Sequence, residues 1–419
     1  MKTVSEINRK LKRGEAVVVG ADELAEDIRE GKNIKASDVD VVTCGTSSLV
    51  SGTMAILNFK IEEPGKFRKL SCVWLNSVPA FHGPCPNERM GIVDVAVFAT
   101  TPGRDSEKYG GAHLIHDIVK GKEIEVYAIT EEGNNISATT CIDEMNLSQL
   151  VGTRYLVKNY YAFVNPNKTK VRTIFSPVEL EGPYKFATFA GCGELNPLQH
   201  DSFLETIGIG SKIWINGAIG YVIGRGTRSV KERPNLMISA NMKTMSPRFL
   251  CGFNTSGGPE LVSTLAVPIP VINDLILENC KITDENISLP VLNVNDRSIL
   301  GETNYGEVWR GVDLEVKWYP DLCVGCVKKC MVEEKCPTSA FSNKKLDRDL
   351  CHNCGACTSL CEAFHANLGV LKVNENRVKI GYRLSDRNKA KKAIKILNEM
   401  LERGEFIFSE SHERISFPD

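Results

Sequence analysis

The cysteines of this chain are distributed very unevenly. Of the 15 cysteines among 419 residues, eight lie between residues 323 and 361 and seven lie in the first 280 residues. The eight form two runs, C-x2-C-x3-C-x5-C followed by C-x2-C-x2-C-x3-C. Tight loops with C-x2-C spacing present thiolates to an inorganic core. The runs therefore predict a metal-binding domain, and the change in cysteine density predicts a domain boundary near residue 315.

Charge and hydropathy narrow the function classes. Lys and Arg (51) nearly balance Asp and Glu (52), so nothing predicts a nucleic-acid partner or an anionic membrane surface. No apolar run approaches the ~20 residues of a membrane span, and the N-terminal residues have no apolar signal core. We therefore expect a cytoplasmic protein, in which cysteines stay reduced and serve metal or thiol chemistry rather than disulfides.

The segment from residue 316 to residue 382 resembles the bacterial two-cluster ferredoxins. Its first run ends in Cys336-Pro337, as in that family, but it carries extra residues on both sides of Cys330, and Glu362 follows the second run where that family has proline. In that family the fourth cysteine of each run ligates the other cluster. The resemblance implies two [4Fe–4S] clusters, one held by Cys323, Cys326, Cys330 and Cys361, the other by Cys351, Cys354, Cys357 and Cys336.

Zinc is the alternative for these runs, because C-x2-C pairs also form zinc ribbons. Eight cysteines in two runs of four, one of which closes with Cys-Pro, favour iron–sulfur clusters over zinc. Such clusters transfer single electrons. The segment is therefore expected to deliver or receive electrons that residues 1–315 use.

Residues 1–315 mix short strand-like runs with helical stretches, which predicts an α/β or α+β body with a mixed sheet. After the ferredoxin-like segment, residues 383–419 are expected to contain a packing helix capped by Ser385 and stopped by Gly404. Within 316–382, the sequence GVLKVNENRVKIGY (369–382) predicts a hairpin.

Four body cysteines lie in sequences that predict loops. Small residues, prolines or glycines flank Cys44, Cys85, Cys141 and Cys192. Apolar neighbours instead surround Cys72, Cys251 and Cys280, which we expect to be small buried hydrophobes. The four loop cysteines are therefore the candidates for thiol or metal chemistry.

Several stretches of the body resemble the L-aspartate semialdehyde sulfurtransferase family of homocysteine biosynthesis, found in methanogenic archaea and other anaerobes. They are DVVTCGTSS, VWLNSVPAF, VDVAVFATT, YGGAHLIHDIVKGKEIEV, GELNPL and TIGIGSKIWINGAIGYVIGRGT. The resemblance covers most of residues 1–310. With a ferredoxin-like segment in the same chain, it resembles the branch called methanogenesis marker protein 16.

The resemblance implies that sulfide is incorporated into the aldehyde of aspartate semialdehyde and the adduct reduced to homocysteine. A sulfur donor, a small aldehyde and a low-potential electron donor are the implied partners, and the terminal clusters would supply two electrons. Tethering in one chain raises their effective concentration. The sequence leaves open another aldehyde, a cofactor precursor, or a non-catalytic electron-transfer subunit of a larger complex; a homo-oligomer is also left open.

The resemblance also implies roles for particular residues. Cys44 and Cys141 fall in the family's functional loops, although the cysteine near Cys44 is displaced by several residues relative to other members. Sulfur is carried either as a persulfide on a low-pKa thiolate or on the open iron of a third [4Fe–4S] cluster, whose ligands would come from Cys44, Cys141, Cys192 and Cys85. His113 matches a family histidine and is a candidate proton shuttle. For the substrate carboxylate, the candidate cations are Arg228 and Arg154.

Overall fold

The computed structural model describes residues 1–83, 86–326, 329–409 and 413–417. Two mixed sheets, one of 14 strands and one of six, form the body. The mixed-sheet body predicted from the sequence is therefore confirmed. No α-helix in the described part of the chain is long and apolar enough to cross a membrane.

The helices and strands alternate irregularly along the chain. The α-helices of the described residues are Val4–Arg13 (α1), Ala21–Arg29 (α2), Gly111–Val119 (α3), Pro197–His200 (α4), Asp274–Cys280 (α5), Tyr305–Trp309 (α6), Met331–Lys335 (α7) and Arg387–Glu402 (α8). The strands before residue 200 are Val18–Gly20 (β1), Val41–Val50 (β2), Thr53–Lys60 (β3), Leu70–Leu75 (β4), Val78–Gly83 (β5), Ile92–Phe98 (β6), Ile124–Thr130 (β7), Asn135–Thr140 (β8), Leu147–Val157 (β9), Ala162–Val164 (β10) and Phe186–Phe189 (β11). Later strands are Lys212–Ile215 (β12), Ala218–Arg225 (β13), Asn235–Asn241 (β14), Leu250–Thr255 (β15), Gly258–Pro270 (β16), Ser288–Asn293 (β17), Ile299–Asn304 (β18), Lys317–Trp318 (β19), Phe341–Ser342 (β20), Lys345–Leu346 (β21), Phe364–His365 (β22), Val370–Val373 (β23) and Asn376–Arg383 (β24).

The large sheet has the order β1-β2-β16-β12-β13-β14-β9-β3-β6-β5-β4-β7-β8, with β15 paired to β16. Strands β2 and β16 form its longest antiparallel pair, from Val41↔Pro270 to Val50↔Leu261. Nearly every residue of both strands is buried, as expected for strands covered on both faces. One end of this strand pair, at residues 46–50 of β2 and 260–265 of β16, borders the cavity described below.

The six-stranded sheet has the order β18-β17-β10-β11-β24-β23. The hairpin expected at 369–382 is present as β23 and β24, and β24 pairs in parallel with β11 of the body. This hairpin therefore shares its sheet and its apolar core with strands that lie within residues 1–315. The proposed division at residues 315 and 382 stays a prediction, since the packing crosses both boundaries.

Helix α8 is the packing helix expected from the sequence, and its apolar face is buried. Its N-cap is Asp386, whose side chain accepts from the Lys389 amide, rather than the expected Ser385. Gly45 of β2 allows close contact, because a Cβ there would lie 2.9 Å from the Ala390 carbonyl oxygen. The helix begins with Arg387, which is buried and bonds Asp284 at 2.7 Å and Glu194 at 3.2 Å.

The segment from residue 316 to residue 368 contains only short elements. Strands β19 and β22 pair, as do β20 and β21, and a small apolar cluster of Val316, Val332, Phe341 and Phe364 holds them together. Little backbone pairing thus stabilises this segment among the described residues. Its ferredoxin-like character stays a prediction.

Candidate active site

A cavity of about 280 Å³ lies where the two sheets meet. Its wall includes residues 46 and 48–51 at the end of β2, residues 154, 155 and 157–160 at the end of β9, and residues 190 and 191 after β11. The other lining residues are Ile174, Phe175, Asn196, Arg228, Glu260, Ser263, Leu265, Arg297 and Leu384. The wall therefore combines positions that are far apart in sequence.

Four cations line this cavity: Arg154, Lys158, Arg228 and Arg297. Within the described part of the chain none of them forms a salt bridge. Arg154 instead lies over the Tyr160 ring at 5.5 Å, and Arg297 lies over Phe175 at 4.1 Å. Both arginines predicted to bind a carboxylate, Arg154 and Arg228, therefore line one cavity, and their guanidinium groups are available to an anionic ligand.

A fifth cation, Arg233, lies next to this group, over the Tyr161 ring at 3.8 Å. Burial, and after it the charge of Arg233, lower the pKa of Lys158. Burial likewise lowers the pKa of Arg297. These shifts mean that the charged forms are poorly solvated, so an anion entering the cavity would stabilise them.

Glu260 is the carboxylate among the lining residues, and it is 4% exposed. The hydrogen bonds it receives come from the Ser51 hydroxyl, at 3.3 and 3.5 Å to its two oxygens. Burial raises its pKa to about 7, and Ser51 offsets only part of this rise. A carboxyl group with this pKa can accept or release a proton near neutrality.

Cys192 lies directly behind the cavity wall. The Thr46 hydroxyl, which belongs to the wall, donates to the Cys192 Sγ at 3.5 Å, and Gly191 lines the cavity beside it. Cys192 follows β11 in a loop, as predicted, but its side chain is fully buried. Burial raises the pKa of its thiol, so Cys192 is not the low-pKa thiolate that one sulfur-transfer route requires.

Cys44 lies in the middle of β2, opposite Val267 of β16, and is fully buried. The predicted loop after residue 43 is therefore wrong, because the sequence TCGTSS continues the strand and pairs throughout with β16. Burial, followed by the nearby Cys280 and Asp201, raises the pKa of the Cys44 thiol. The residues of β2 that line the cavity are Thr46 and residues 48–50, not Cys44.

Cys141 lies in a turn after β8, where its amide donates to Glu144 at 3.2 Å. Strand β8 ends the large sheet on the side opposite β2, and Cys141 does not line the cavity in the described structure. The structure thus does not bring Cys44, Cys141 and Cys192 together as the ligands of one cluster. The fourth candidate, Cys85, lies outside the described residues.

The remaining body cysteines were expected to be buried hydrophobes. Cys251 and Cys280 are buried, as predicted. Cys72 is exposed, so that prediction is wrong, because it occupies an outward-facing position of β4.

His113 lies in α3 and packs against Gly252 of β15, where a Cβ would lie 2.5 Å from its ring. Its Nδ1 accepts from the Gly110 amide at 3.3 Å, and burial lowers its pKa to about 4. It does not line the cavity in the described part of the structure. A proton-shuttle role for His113 stays a prediction, since no contact in the described structure connects the imidazole to the cavity.

The C-terminal cysteines fall into two groups. Cys336, Cys351, Cys354 and Cys357 line one small cavity together with apolar side chains such as Val332 and Phe341. Burial raises the pKa of Cys354 well above its usual value, and the neighbouring thiols of Cys357, Cys336 and Cys351 raise it further. We call this set the inner cysteine group.

The outer cysteine group is more exposed and contains Cys326, Cys330 and Cys361. Desolvation and then the neighbouring Cys330 and Cys361 raise the pKa of Cys326, which places the three thiols close to one another. Cys323 is half-buried, and residues 327 and 328 of the same loop lie outside the described residues. Cys336 thus lies with cysteines of the second run, and Cys361 lies near Cys326 of the first run. The exchange of cluster ligands that the resemblance implies stays a prediction.

The described residues contain no group of three or more His, Cys, Asp or Glu side chains placed to hold a metal ion. In an iron–sulfur cluster each thiolate binds its own iron atom, so the ligands surround the core at larger separations. Iron–sulfur ligation by the four thiols that line the small cavity stays a prediction.

The inner cysteine group is connected to the active-site cavity by two backbone contacts. The carbonyl oxygen of Cys354 accepts from the Arg383 amide at 2.9 Å. The next residue, Leu384, lines the cavity, and its carbonyl oxygen accepts from the Leu49 amide at 3.2 Å and the Ser48 hydroxyl at 3.0 Å. The cavity and the inner group are therefore neighbours.

Comparison with known proteins identifies the family. The family model described as homocysteine biosynthesis enzyme, sulfur-incorporation, matches residues 16–408. The chain belongs to this family. An uncharacterized protein of Methanothermobacter thermautotrophicus is 40% identical over 407 residues, covering 96% of this chain and 94% of that protein. No solved structure gives a significant match.

Two named members of the homocysteine biosynthesis family are also similar. The L-aspartate semialdehyde sulfurtransferase of Methanocaldococcus jannaschii is 33% identical over 377 residues, covering 84% of this chain and 69% of that protein. The L-aspartate semialdehyde sulfurtransferase of Methanosarcina acetivorans is 32% identical over 343 residues, covering 78% of this chain and 66% of that protein. These matches confirm the prediction of a sulfurtransferase enzyme.

Sequence reasoning missed three lining residues, namely Glu260, Arg297 and Lys158. Glu260 is a single charge within the apolar run of β16, which is the signal that could have identified it. Arg297 and Lys158 carry no such signal, since both lie in ordinary polar loop sequences.

Proposed function

We propose that this protein incorporates sulfur reductively into the aldehyde of L-aspartate semialdehyde and yields homocysteine. The observation that supports this most is the cationic cavity beside the inner cysteine group, where an anionic aldehyde and an electron source would meet. Two relatives carry the name L-aspartate semialdehyde sulfurtransferase.

The reaction needs sulfur and electrons. Hydrogen sulfide adds to the aldehyde carbon, a C–S bond forms, and loss of the former carbonyl oxygen as water leaves a thioaldehyde. Two electrons and two protons then reduce the C=S bond to the thiol. An external low-potential donor supplies the electrons, and the sulfur comes from sulfide or a sulfur donor.

The cavity residues have separate tasks in this scheme. Arg154 and Arg228 bind the substrate carboxylate, because guanidinium groups without carboxylate partners gain charge-assisted hydrogen bonds from it. The Thr46 hydroxyl donates to the Cys192 thiol, which keeps this thiol directly behind the cavity wall. Aromatic rings of Tyr160 and Phe175 restrict water around the aldehyde.

The C-terminal thiols would hold the redox cofactors. The inner group of Cys336, Cys351, Cys354 and Cys357 fits one [4Fe–4S] cluster, and Cys323, Cys326, Cys330 and Cys361 are proposed to hold the second. Such clusters supply electrons one at a time. The chain's own contribution is the Cys354–Arg383 backbone contact, which keeps the inner group beside the cavity wall.

An anaerobic assay tests the proposal directly. The reconstituted full-length protein is mixed with aspartate semialdehyde, sulfide and a low-potential reductant, and homocysteine is measured by mass spectrometry. We expect homocysteine from the wild type, and the variant Cys192→Ser tests whether the thiol behind the cavity wall is needed. Absence of homocysteine, with iron and acid-labile sulfide at full occupancy, contradicts the proposal.

Cys141→Ser is the matched control, because this cysteine lies away from the cavity. Retained activity in Cys141→Ser supports sulfur handling at the cavity. Loss in Cys141→Ser but not in Cys192→Ser would instead assign the sulfur carrier to Cys141, as predicted from the sequence.

A further inference from the structure

The active-site cavity contains one carboxylate in a cationic environment. The positively charged residues Arg154, Lys158, Arg228 and Arg297 line the same space as Glu260. In most proteins a buried carboxylate beside cations would form a salt bridge with one of them. Glu260 forms none in the described structure, and only the Ser51 hydroxyl bonds it.

Among the described residues, none of these cations forms a salt bridge with the Glu260 carboxyl group, although all of them line the same cavity. Burial raises the pKa of Glu260, and the Ser51 hydroxyl offsets part of that rise. A ligand in the cavity would meet both the cations and a carboxyl group that forms no salt bridge in the described structure. Such a wall is complementary to a ligand that carries both an anionic and a cationic group.

We propose that Glu260 binds the α-ammonium group of the substrate and thereby selects an amino aldehyde over the corresponding aldehyde without an amino group. This inference rests on the proposed function, and it specifies the substrate class that the cavity accepts. The ammonium group ionises Glu260, while the substrate carboxylate is bound by the arginines. Glu260 acts in binding, and no bond to sulfur involves it.

Matched ligands isolate the ammonium group. Succinic semialdehyde is aspartate semialdehyde without its amino group. Likewise, 4-hydroxybutyrate is L-homoserine without its amino group, and these two alcohols do not react. Calorimetry with the reconstituted full-length protein measures the alcohols, and the anaerobic assay gives kcat/KM for both aldehydes. We expect the wild type to prefer the amino ligand by at least about tenfold in both measurements, since a buried charge pair is lost with the other ligand.

The variant Glu260→Gln keeps the side-chain shape and removes the charge. We expect it to lose about tenfold or more in affinity for homoserine and little for 4-hydroxybutyrate, so the preference disappears. Glu88→Gln is the matched control, because Glu88 is also buried but bonds the Leu70 amide away from the cavity. It should keep the wild-type preference.

The outcomes separate the two proposals. The role of Glu260 is overturned if the wild type does not prefer homoserine over 4-hydroxybutyrate. It is also overturned if the Glu260→Gln variant keeps that preference. Either result stands even if homocysteine is formed. A preference that depends on Glu260, found without any homocysteine from aspartate semialdehyde, supports the Glu260 site and overturns the proposed reaction instead.

Discussion

The inner cysteine group and the active-site cavity are neighbours, but the first is built mainly from residues close together in sequence and the second from residues far apart. Three of the four inner cysteines, Cys351, Cys354 and Cys357, lie within seven consecutive positions. The cavity instead combines β2, β9, β16 and Leu384, which are separated by up to several hundred residues. The first site is assembled mainly by short loops, and the second only by the packing of two sheets.

Because the two sites are assembled differently, a substitution can disrupt the inner cysteine group or the active-site cavity separately. Loss of one thiol should impair the cysteine segment locally. Loss of a contact between distant elements should loosen the cavity while the spacing within the cysteine runs stays intact. The predictions below test this separation.

The largest effect is expected from Cys354→Ser in the inner group. This cysteine is buried among three other thiols and also connects to Arg383, so its loss should remove the inner cluster. We expect roughly half of the wild-type iron and acid-labile sulfide, because the eight thiolates are proposed to divide four and four between two clusters, and we expect no homocysteine. Unchanged iron content would contradict the ligand assignment.

The variant Arg387→Met should loosen the cavity without touching a thiol. Arg387 is buried and bonds both Asp284 and Glu194, and it starts the helix that follows Leu384. Removing it leaves the buried Asp284 without a cationic partner in the described structure, while Glu194 keeps Arg29. We therefore expect a loss of about 3–5 kcal/mol in the free energy of unfolding. Denaturant unfolding measures this loss.

The control for Arg387→Met is Arg248→Met. Arg248 bonds Asp349 at 3.0 Å on the surface, where such a pair contributes at most about 1 kcal/mol. Cluster content should stay at the wild-type level in both variants. Equal destabilisation by the two substitutions would contradict the role assigned to the buried pair.

Glu260→Gln should change the pH dependence of stability. Burial raises the pKa of Glu260 to about 7 from an ordinary 4.5, so the folded state binds this proton more tightly than the unfolded state does. The wild type therefore loses stability as pH rises from 4.5 through 7, by about 3 kcal/mol, and the glutamine variant does not. Unfolding curves at pH 4.5, 6 and 8 measure the difference in the free energy of unfolding between the wild type and Glu260→Gln. If Glu260 were ionised at every pH, this difference would not change with pH.

The smallest effect is expected from Arg154→Gln. Arg154 is one of several cations that line the cavity, so the others retain part of the carboxylate binding. We expect KM for the aldehyde to rise about tenfold with a smaller change in kcat, as for the loss of one charged hydrogen bond. Arg225→Gln is the control, because Arg225 is exposed on β13, and a similar rise in KM there would argue against specific binding by Arg154.

Parts of the fold were predictable because their signals are local. The hairpin of β23 and β24 and the helix α8 follow from alternation and from apolar spacing, although the helix is capped one residue later than expected. The loop at Cys44 was predicted wrongly because small residues often interrupt strands. Here the long partner β16 supplies hydrogen bonds along the whole of β2 and keeps it extended.

The sequence itself determined the family and the two closely spaced cysteine runs, because motif and spacing are properties of the chain. Only the tertiary structure decided that Cys44 is buried, that Cys141 lies apart from the cavity, and that Glu260 shares it with Arg154. The physical reason is that burial and the meeting of distant charges depend on how the two sheets pack. No stretch of sequence read by itself encodes that packing.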